Sequence, residues 1–183
     1  MSTKVVLIRG VNVGGKNPVA MAGLRECLEE LGCTDVTTYL NSGNAVVDSS
    51  VAVKKLAASI QEELPRRFHL HDVLVKVLVL PAERLRAVVD DRPTGFGDKP
   101  DEYHSDAIFL MDGLGVDEAM AVFDPREGVD RVWPGDGVVY SQRLSAERTR
   151  SRLGKIVGTP AYKSMTIRSW QTTTKLLALV DAR

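Results

Sequence analysis

Two successive runs of strand, helix, strand, strand and helix, the second weaker than the first, end in a helix with one apolar face. That order predicts an α+β fold of two ferredoxin-like (βαββαβ) repeats, the second degenerate, with a C-terminal helix. At 183 residues the chain is long enough for two compact units. The first repeat is expected at residues 1–80. A helix and a Pro/Gly connecting loop fill 81–104, and the second repeat with the terminal helix occupies 105–183.

Residues 4–9 (KVVLIR) are a short β-branched run that suits a strand buried on both faces. Met21, Leu24, Leu28 and Leu31 then recur at helical spacing, and Gly32 stands where a left-handed cap residue belongs, so a helix covers 21–31. Residues 35–40 and 45–48 flank Asn41-Ser42-Gly43-Asn44, whose tolerance of positive φ marks a hairpin. Leu56, Ile60, Leu64 and Phe68 place a second helix at 52–67, with Pro65 disturbing its last turn. A strand at 72–80 closes the repeat. A short helix at 82–90 and the loop 92–100 (RPTGFGDKP) follow. The second pass reads as a strand at 107–111, a short helix at 116–122 and a hairpin of 129–133 with 138–141 around Pro134-Gly135-Asp136-Gly137. A helix at 146–156 comes next. The closing strand is absent or vestigial, and a helix at 169–180 offers Trp170, Leu176, Leu177 and Val180 for docking.

Composition narrows the function classes. A chain 44% hydrophobic and 26% charged buries a core and is not disordered. Its longest apolar runs, such as 107–111, are five residues, far below the roughly 20 of a membrane span, and its first ten residues lack the apolar core of a signal peptide. Cys27 and Cys33 are too few for a disulfide framework and wrongly spaced for a CxxC pair. The expectation is a reduced, cytoplasmic protein with no membrane partner. The 24 basic and 24 acidic residues balance, which excludes a uniformly basic nucleic-acid binder. The balance hides a polarity, however, because residues 81–142 carry a net −8 and residues 143–183 a net +7. The basic stretch includes Arg143, Arg148, Arg150, Arg152, Lys155, Lys163 and Arg168; such blocks usually pair internally or face solvent.

The best local motif follows the first strand, Gly10-Val-Asn-Val-Gly-Gly-Lys-Asn17. It satisfies the GxxxxGK part of a phosphate-cradling loop, but position 17 is Asn instead of Ser or Thr and the helix starts about four residues late. A nucleoside triphosphatase is disfavoured, and the plain alternative is that Gly14 and Gly15 only shape a turn. Still, eleven residues is long for such a connection, and long ordered loops are more often functional. In a split βαβ unit the end of the first strand, the hairpin and the start of the fourth strand share one sheet edge. Arg9, Asn12, Gly14, Gly15, Lys16, Asn41, Ser42 and Asn44 should converge there, with His69 or His71 nearby, as a site for an anionic small molecule.

Other candidates are weaker. His69, His71 and Asp72 give an HxHD string without a third ligand, so no metal and no cofactor is expected. Cys27 and Cys33 read as small buried hydrophobes. No GxSxG elbow is present. An RNA-recognition module shares the element order but stacks bases on central-strand aromatics; here those strands offer Val5 to Ile8 and Ala45 to Val47.

The strings LIRGVNVGGKNPVAMAGLRECLEELG, VTTYLNSGNAVV and TIRSWQTTTKLLAL resemble the bacterial family called domain of unknown function 1697. The resemblance implies two ferredoxin-like repeats and supplies no activity. Matching positions are Arg9, Gly10, Asn12, Gly14, Gly15, Lys16 and Met21, then Tyr39, Ser42, Gly43 and Asn44, then Arg168, Trp170 and Lys175. The last three form a second tier of candidate site residues, although one large ring on a terminal helix such as Trp170 is more often a core anchor than a stacking surface. Ser169 stands where the family usually has Asn, and Ser151-Arg152-Leu153 where it has Ser-Lys-Leu. The reading with most support is a small-ligand protein, with catalysis unassigned. A nucleic-acid-associated protein using the basic C-terminal segment and a protein interaction module are the alternatives; the sequence sets no oligomeric state.

Overall fold

The structure, a computed structural model, describes residues 1–70, 75–111 and 113–183. These fall into two compact units, Met1–Arg86 with Leu176–Arg183, and Ala87–Lys175.

The first unit contains β1 (Ser2–Arg9), α1 (Met21–Glu30), β2 (Thr34–Tyr39), β3 (Asn44–Ser49), α2 (Val53–Phe68) and β4 (Lys76–Pro81). Its antiparallel sheet has the order β2-β3-β1-β4, the strand order of a split βαβ repeat. The central strand is apolar on both faces, as its sequence demands: Val5, Val6, Leu7 and Ile8 are buried. Val6 and Ile8 join Ala45 and Val47 of β3, Leu24 and Leu28 of α1, and Leu56, Ile60 and Leu64 of α2 in one core. Each of the Val, Leu and Ile side chains contributes about 1.5–3 kcal/mol by leaving water.

Pro65 does not end α2. The helix runs on to Phe68 and is capped by His69 in the left-handed region (φ 50), whose N–H bonds the Pro65 carbonyl. The part of the expected fourth strand at 72–74 lies outside the described residues. The side chain of Arg183 is only 11% exposed: its guanidinium pairs with Asp35 at 3.1 Å and Asp48 at 3.4 Å and donates to the Val46 carbonyl at 2.8 Å.

The second unit takes in the end of α3 (Ala82–Asp90), then β5 (Tyr103–Leu110), α4 (Val116–Ala121), β6 (Asp130–Gly135), β7 (Val138–Leu144), β8 (Met165–Ser169) and the start of α5 (Trp170–Asp181). Its antiparallel sheet has the order β6-β7-β5-β8, position for position the order of the first. The closing strand is therefore present: β8 pairs with β5 from Leu110↔Met165 to Asp106↔Ser169. It escapes a reading by pattern because an edge strand of five residues, MTIRS, holds only two apolar side chains. β5 begins four residues before the expected position.

The helix expected at 146–156 is replaced by three 3-10 turns, Ser145–Arg150, Leu153–Gly158 and Ala161–Ser164. Gly154, Gly158 and Pro160 are poor helix residues. Asp130 Oδ2 also takes the Arg152 N–H at 2.8 Å, removing it from any helical ladder.

On one face of this sheet Ile108, Leu110, Val139 and Met165 pack with Ala119 and Ile156. On the other the Pro/Gly loop inserts Phe96, fully buried, edge-on to Trp170 at 5.0 Å, Tyr140 at 5.2 Å and Trp133 at 5.9 Å. The buried Tyr140 hydroxyl donates to the Val88 carbonyl at 2.7 Å. Tyr140→Phe is expected to lower stability by about 0.5–1.5 kcal/mol, read by urea unfolding of the tryptophan fluorescence.

Candidate functional site

The long connection from β1 to α1 is a miniature hairpin. Val13 and Lys16 form a bridge, closed by the Lys16 N–H on the Val13 carbonyl at 3.0 Å. Gly14 and Gly15 both have positive φ (57 and 75), which is the type I′ turn that Gly-Gly serves best. The likeness to a phosphate-cradling loop is corrected accordingly, since the Lys16 N–H is spent on the turn.

Asparagines fasten this hairpin at its base. Asn12, at φ 54, donates its backbone N–H to the Asn17 carbonyl at 3.0 Å. Its amide accepts from the Val19 N–H at 2.8 Å and donates to the carbonyls of Val19 at 2.9 Å and Asn41 at 2.7 Å. Asn17 Nδ2 donates to the Gly10 carbonyl at 2.9 Å. The Asn12 to Asn41 bond joins the loop to the β2–β3 turn.

That turn is itself held from within. Asn44 is fully buried and donates to the Tyr39 carbonyl at 3.1 Å and the Ser42 hydroxyl at 2.9 Å. Gly43, at φ 74, accepts the Ile8 N–H at 2.7 Å, and a Cβ there would lie 2.9 Å from Ile8 Cβ and O. Gly43 is thus required by close backbone approach as well as by its dihedral.

Between loop and turn lies a cleft of about 330 Å³ lined by Asn12, Gly15, Lys16, Val19, Ala20 and Asn41, with Pro18 at its rim. Four of the eight expected residues meet there: Asn12, Gly15, Lys16 and Asn41. Gly14 sits at the exposed hairpin tip, Ser42 and Asn44 serve the neighbouring turn, and Arg9 is half-buried at the end of β1 opposite Lys76. His69 caps α2, and His71 lies outside the described residues.

Helix α1 begins at this cleft, with Ala20 as N-cap, no side-chain cap and no acidic residue in its first turn. Its first N–H groups and the positive end of its dipole therefore have no capping side chain and no first-turn acid against them among the described residues. The signal in the sequence is the absence of Ser, Thr, Asp or Asn at position 20, directly before the helical run.

The remaining candidates have structural duties. Both cysteines are buried and reduced, and burial pushes both thiols up from their ordinary pKa. Arg168 is 8% exposed, bonds the Thr166 hydroxyl at 2.9 Å and the Ile167 carbonyl at 2.8 Å, and burial lowers its pKa to about 10. Trp170 is an anchor of the aromatic cluster, and Lys175 is exposed. Ser169 caps α5 by accepting the Thr172 N–H at 3.2 Å, a task Asn performs equally well.

In the basic segment, Arg152 and Lys155 pair with Asp124 at 3.1 and 3.2 Å, and Arg150 with Glu147 at 3.0 Å. These three charges are thereby matched within the unit. Among the described residues no three His, Cys, Asp or Glu side chains cluster to hold a metal, and no helix is long and apolar enough to cross a membrane.

The conserved bacterial protein SP0830 from Streptococcus pneumoniae is similar in structure, with a TM-score of 0.80 and 26% identity over 98% of each chain. No curated protein matches the sequence. A family profile described as protein of unknown function, DUF1697, matches residues 1–140. With three quarters of its length under that profile and the same architecture in a structural relative, the chain belongs to the DUF1697 family.

Proposed function

We propose that the first unit binds an anionic small molecule, carrying a phosphate or carboxylate, in the cleft between the β1–α1 loop and the β2–β3 turn, and that it does so in the cytoplasm. The observation that carries this reading is the meeting of the exposed Lys16 with the uncapped start of α1 in one cavity. Helix N-termini attract anions through free N–H groups and the dipole. A flexible ammonium supplies the charge while the Asn12 clamp keeps the cleft in shape. No reaction is assigned, because the cleft lacks an arrangement of nucleophile and base.

The test is a thermal-shift screen with inorganic phosphate, phosphorylated metabolites, nucleotides and small carboxylates. A ligand at about 100 times its Kd stabilises the native state by about 2.7 kcal/mol, which raises Tm by about 2–4 °C per kcal/mol in a chain of this size. Lys16→Ala is expected to leave the Tm of the free protein within about 1 °C, since an exposed side chain away from the core changes stability by under about 0.5 kcal/mol. It should abolish the ligand-induced rise. A screen without any rise, or a rise unchanged in Lys16→Ala, would overturn the reading.

A further inference from the structure

The second unit holds a separate cleft of about 410 Å³ at the point where β8 turns into α5. Tyr103, His104 and Ser105 of β5 line it opposite Trp170, Gln171 and Thr174 of α5, with the loop at Gly97 as a third wall. No Asp, Glu, Lys or Arg is among its lining residues, although such residues make up 26% of the chain.

Strand register explains why the cleft is there. The row Trp133, Tyr140, Ala107, Arg168 crosses all four strands. Two residues along, the row Arg131, Gln142, Ser105 stops at β5, because β8 pairs only as far as Asp106↔Ser169 and the next residue, Trp170, opens the helix. Tyr103, His104 and Ser105 therefore have a strand on one side alone. His104 and Ser105 point to opposite faces of the sheet by strand alternation. A cavity lined by both reaches the backbone edge of β5, where the Tyr103 N–H is held by the Lys99 carbonyl at 2.9 Å.

The walls are preorganised. Trp170 is held edge-on by Phe96, interplanar angle 77°. The Gly97 backbone, at φ 78, lies so close that a Cβ would stand 2.2 Å from Trp170 Cδ1. The Gln142 amide donates to the Ser105 hydroxyl at 3.0 Å, and His104 Nε2 sits 3.1 Å from Asp106 Oδ1, which orients the imidazole.

We infer that this cleft binds an uncharged planar heterocycle with adjacent hydrogen-bond donor and acceptor groups, the chemistry of a nucleobase. The exposed Gln171 amide at the mouth offers a donor beside an acceptor, and Trp170 and Tyr103 give apolar walls. An extended peptide adding as a fifth strand would find an edge of three residues, about 10 Å, little for strand addition.

The experiment is a two-dimensional amide NMR titration of the full chain with adenosine and with cytidine, and separately with a blocked valine-rich tetrapeptide. A nucleoside is expected to shift the amides of Tyr103 to Ser105 and the Trp170 indole N–H while leaving the Trp133 indole in place. Thr174→Arg, which fills the cleft from its half-buried wall, should weaken binding at least roughly 10-fold. Should that variant disturb the fold, Gln171→Ala at the exposed mouth is expected to weaken it about 3-fold or more. Absence of shifts up to about 10 mM of either nucleoside, shifts by the tetrapeptide alone, or unaltered affinity in Gln171→Ala overturns the assignment.

Discussion

Asp130→Ala is expected to destabilise the second unit by about 2–4 kcal/mol. The carboxylate is 6% exposed at the start of β6, and its Oδ2 accepts two backbone N–H groups, Arg126 at 3.0 Å and Arg152 at 2.8 Å. One bond fixes the turn that leads into β6 and the other fixes Arg152, between the first two of the 3-10 turns that replace the expected helix. Removing the acceptor leaves two partly buried donors unsatisfied, each costing about 1–3 kcal/mol.

Burial alone pushes the Asp130 carboxyl up, but the two N–H bonds, the Ser151 hydroxyl and the Arg143 charge outweigh it, so the pKa lies below the ordinary carboxylate range. The sign follows: stabilisation by this group is complete above about pH 4 and is lost as pH falls through the lower native pKa. Asp130→Asn, which keeps one acceptor and loses the charge, should cost less and should flatten the acid limb of the stability profile. Both tryptophans, Trp133 and Trp170, lie in the second unit, so urea unfolding followed by tryptophan fluorescence reads this unit. Equal stability of Asp130→Ala and the parent would show that Asp130 is not the clamp its geometry describes.

Asp130 also marks where sequence reading stopped. Apolar periodicity located α1, α2, α3 and most of the strands because those elements bury a regular stripe: Leu56, Ile60 and Leu64 repeat every four residues and are all buried. It failed at β8 and at the 3-10 turns, where structure is set by partners distant in sequence. β8 is a strand because β5 has an edge to fill, and 145–164 is irregular because a carboxylate more than twenty residues away captures one of its N–H groups. Phe96 is the same lesson within a loop: a lone ring between two glycines in a polar stretch is the centre of an aromatic cluster.

The candidate site was legible in a different way. Topology brought the β1–α1 loop and the β2–β3 turn to one edge, and Asn12, Lys16 and Asn41 do meet there. What residue types could not separate was function from scaffolding. Asn12, Asn17 and Asn44 each have two hydrogen-bonding ends, and in each the donor end is used on the chain itself. Lys16 and the bare start of α1 are left facing the cleft.

That division gives the second large effect. Asn12→Ala is expected to cost the first unit about 2–3 kcal/mol, because it removes three side-chain bonds worth about 0.5–1.5 kcal/mol each and places a residue with a Cβ preference against φ 54 in the left-handed region. Asn12→Gly restores the backbone freedom but not the bonds, so it should recover about 1 kcal/mol. Asn12→Asp keeps the acceptor for the Val19 N–H and loses both donations, so it should fall between parent and Ala. Amide hydrogen exchange of β1 and β3 reads these differences, since the first unit has no tryptophan. The loop's anchor and its charge then separate cleanly: Lys16→Ala should lose anion binding with exchange unchanged. Asn12→Ala should lose both, because without the bond to the Asn41 carbonyl the two walls of the cleft are no longer tied. If Asn12→Ala exchanged like the parent and bound the same anions, the loop would owe its shape to the Gly14-Gly15 turn alone.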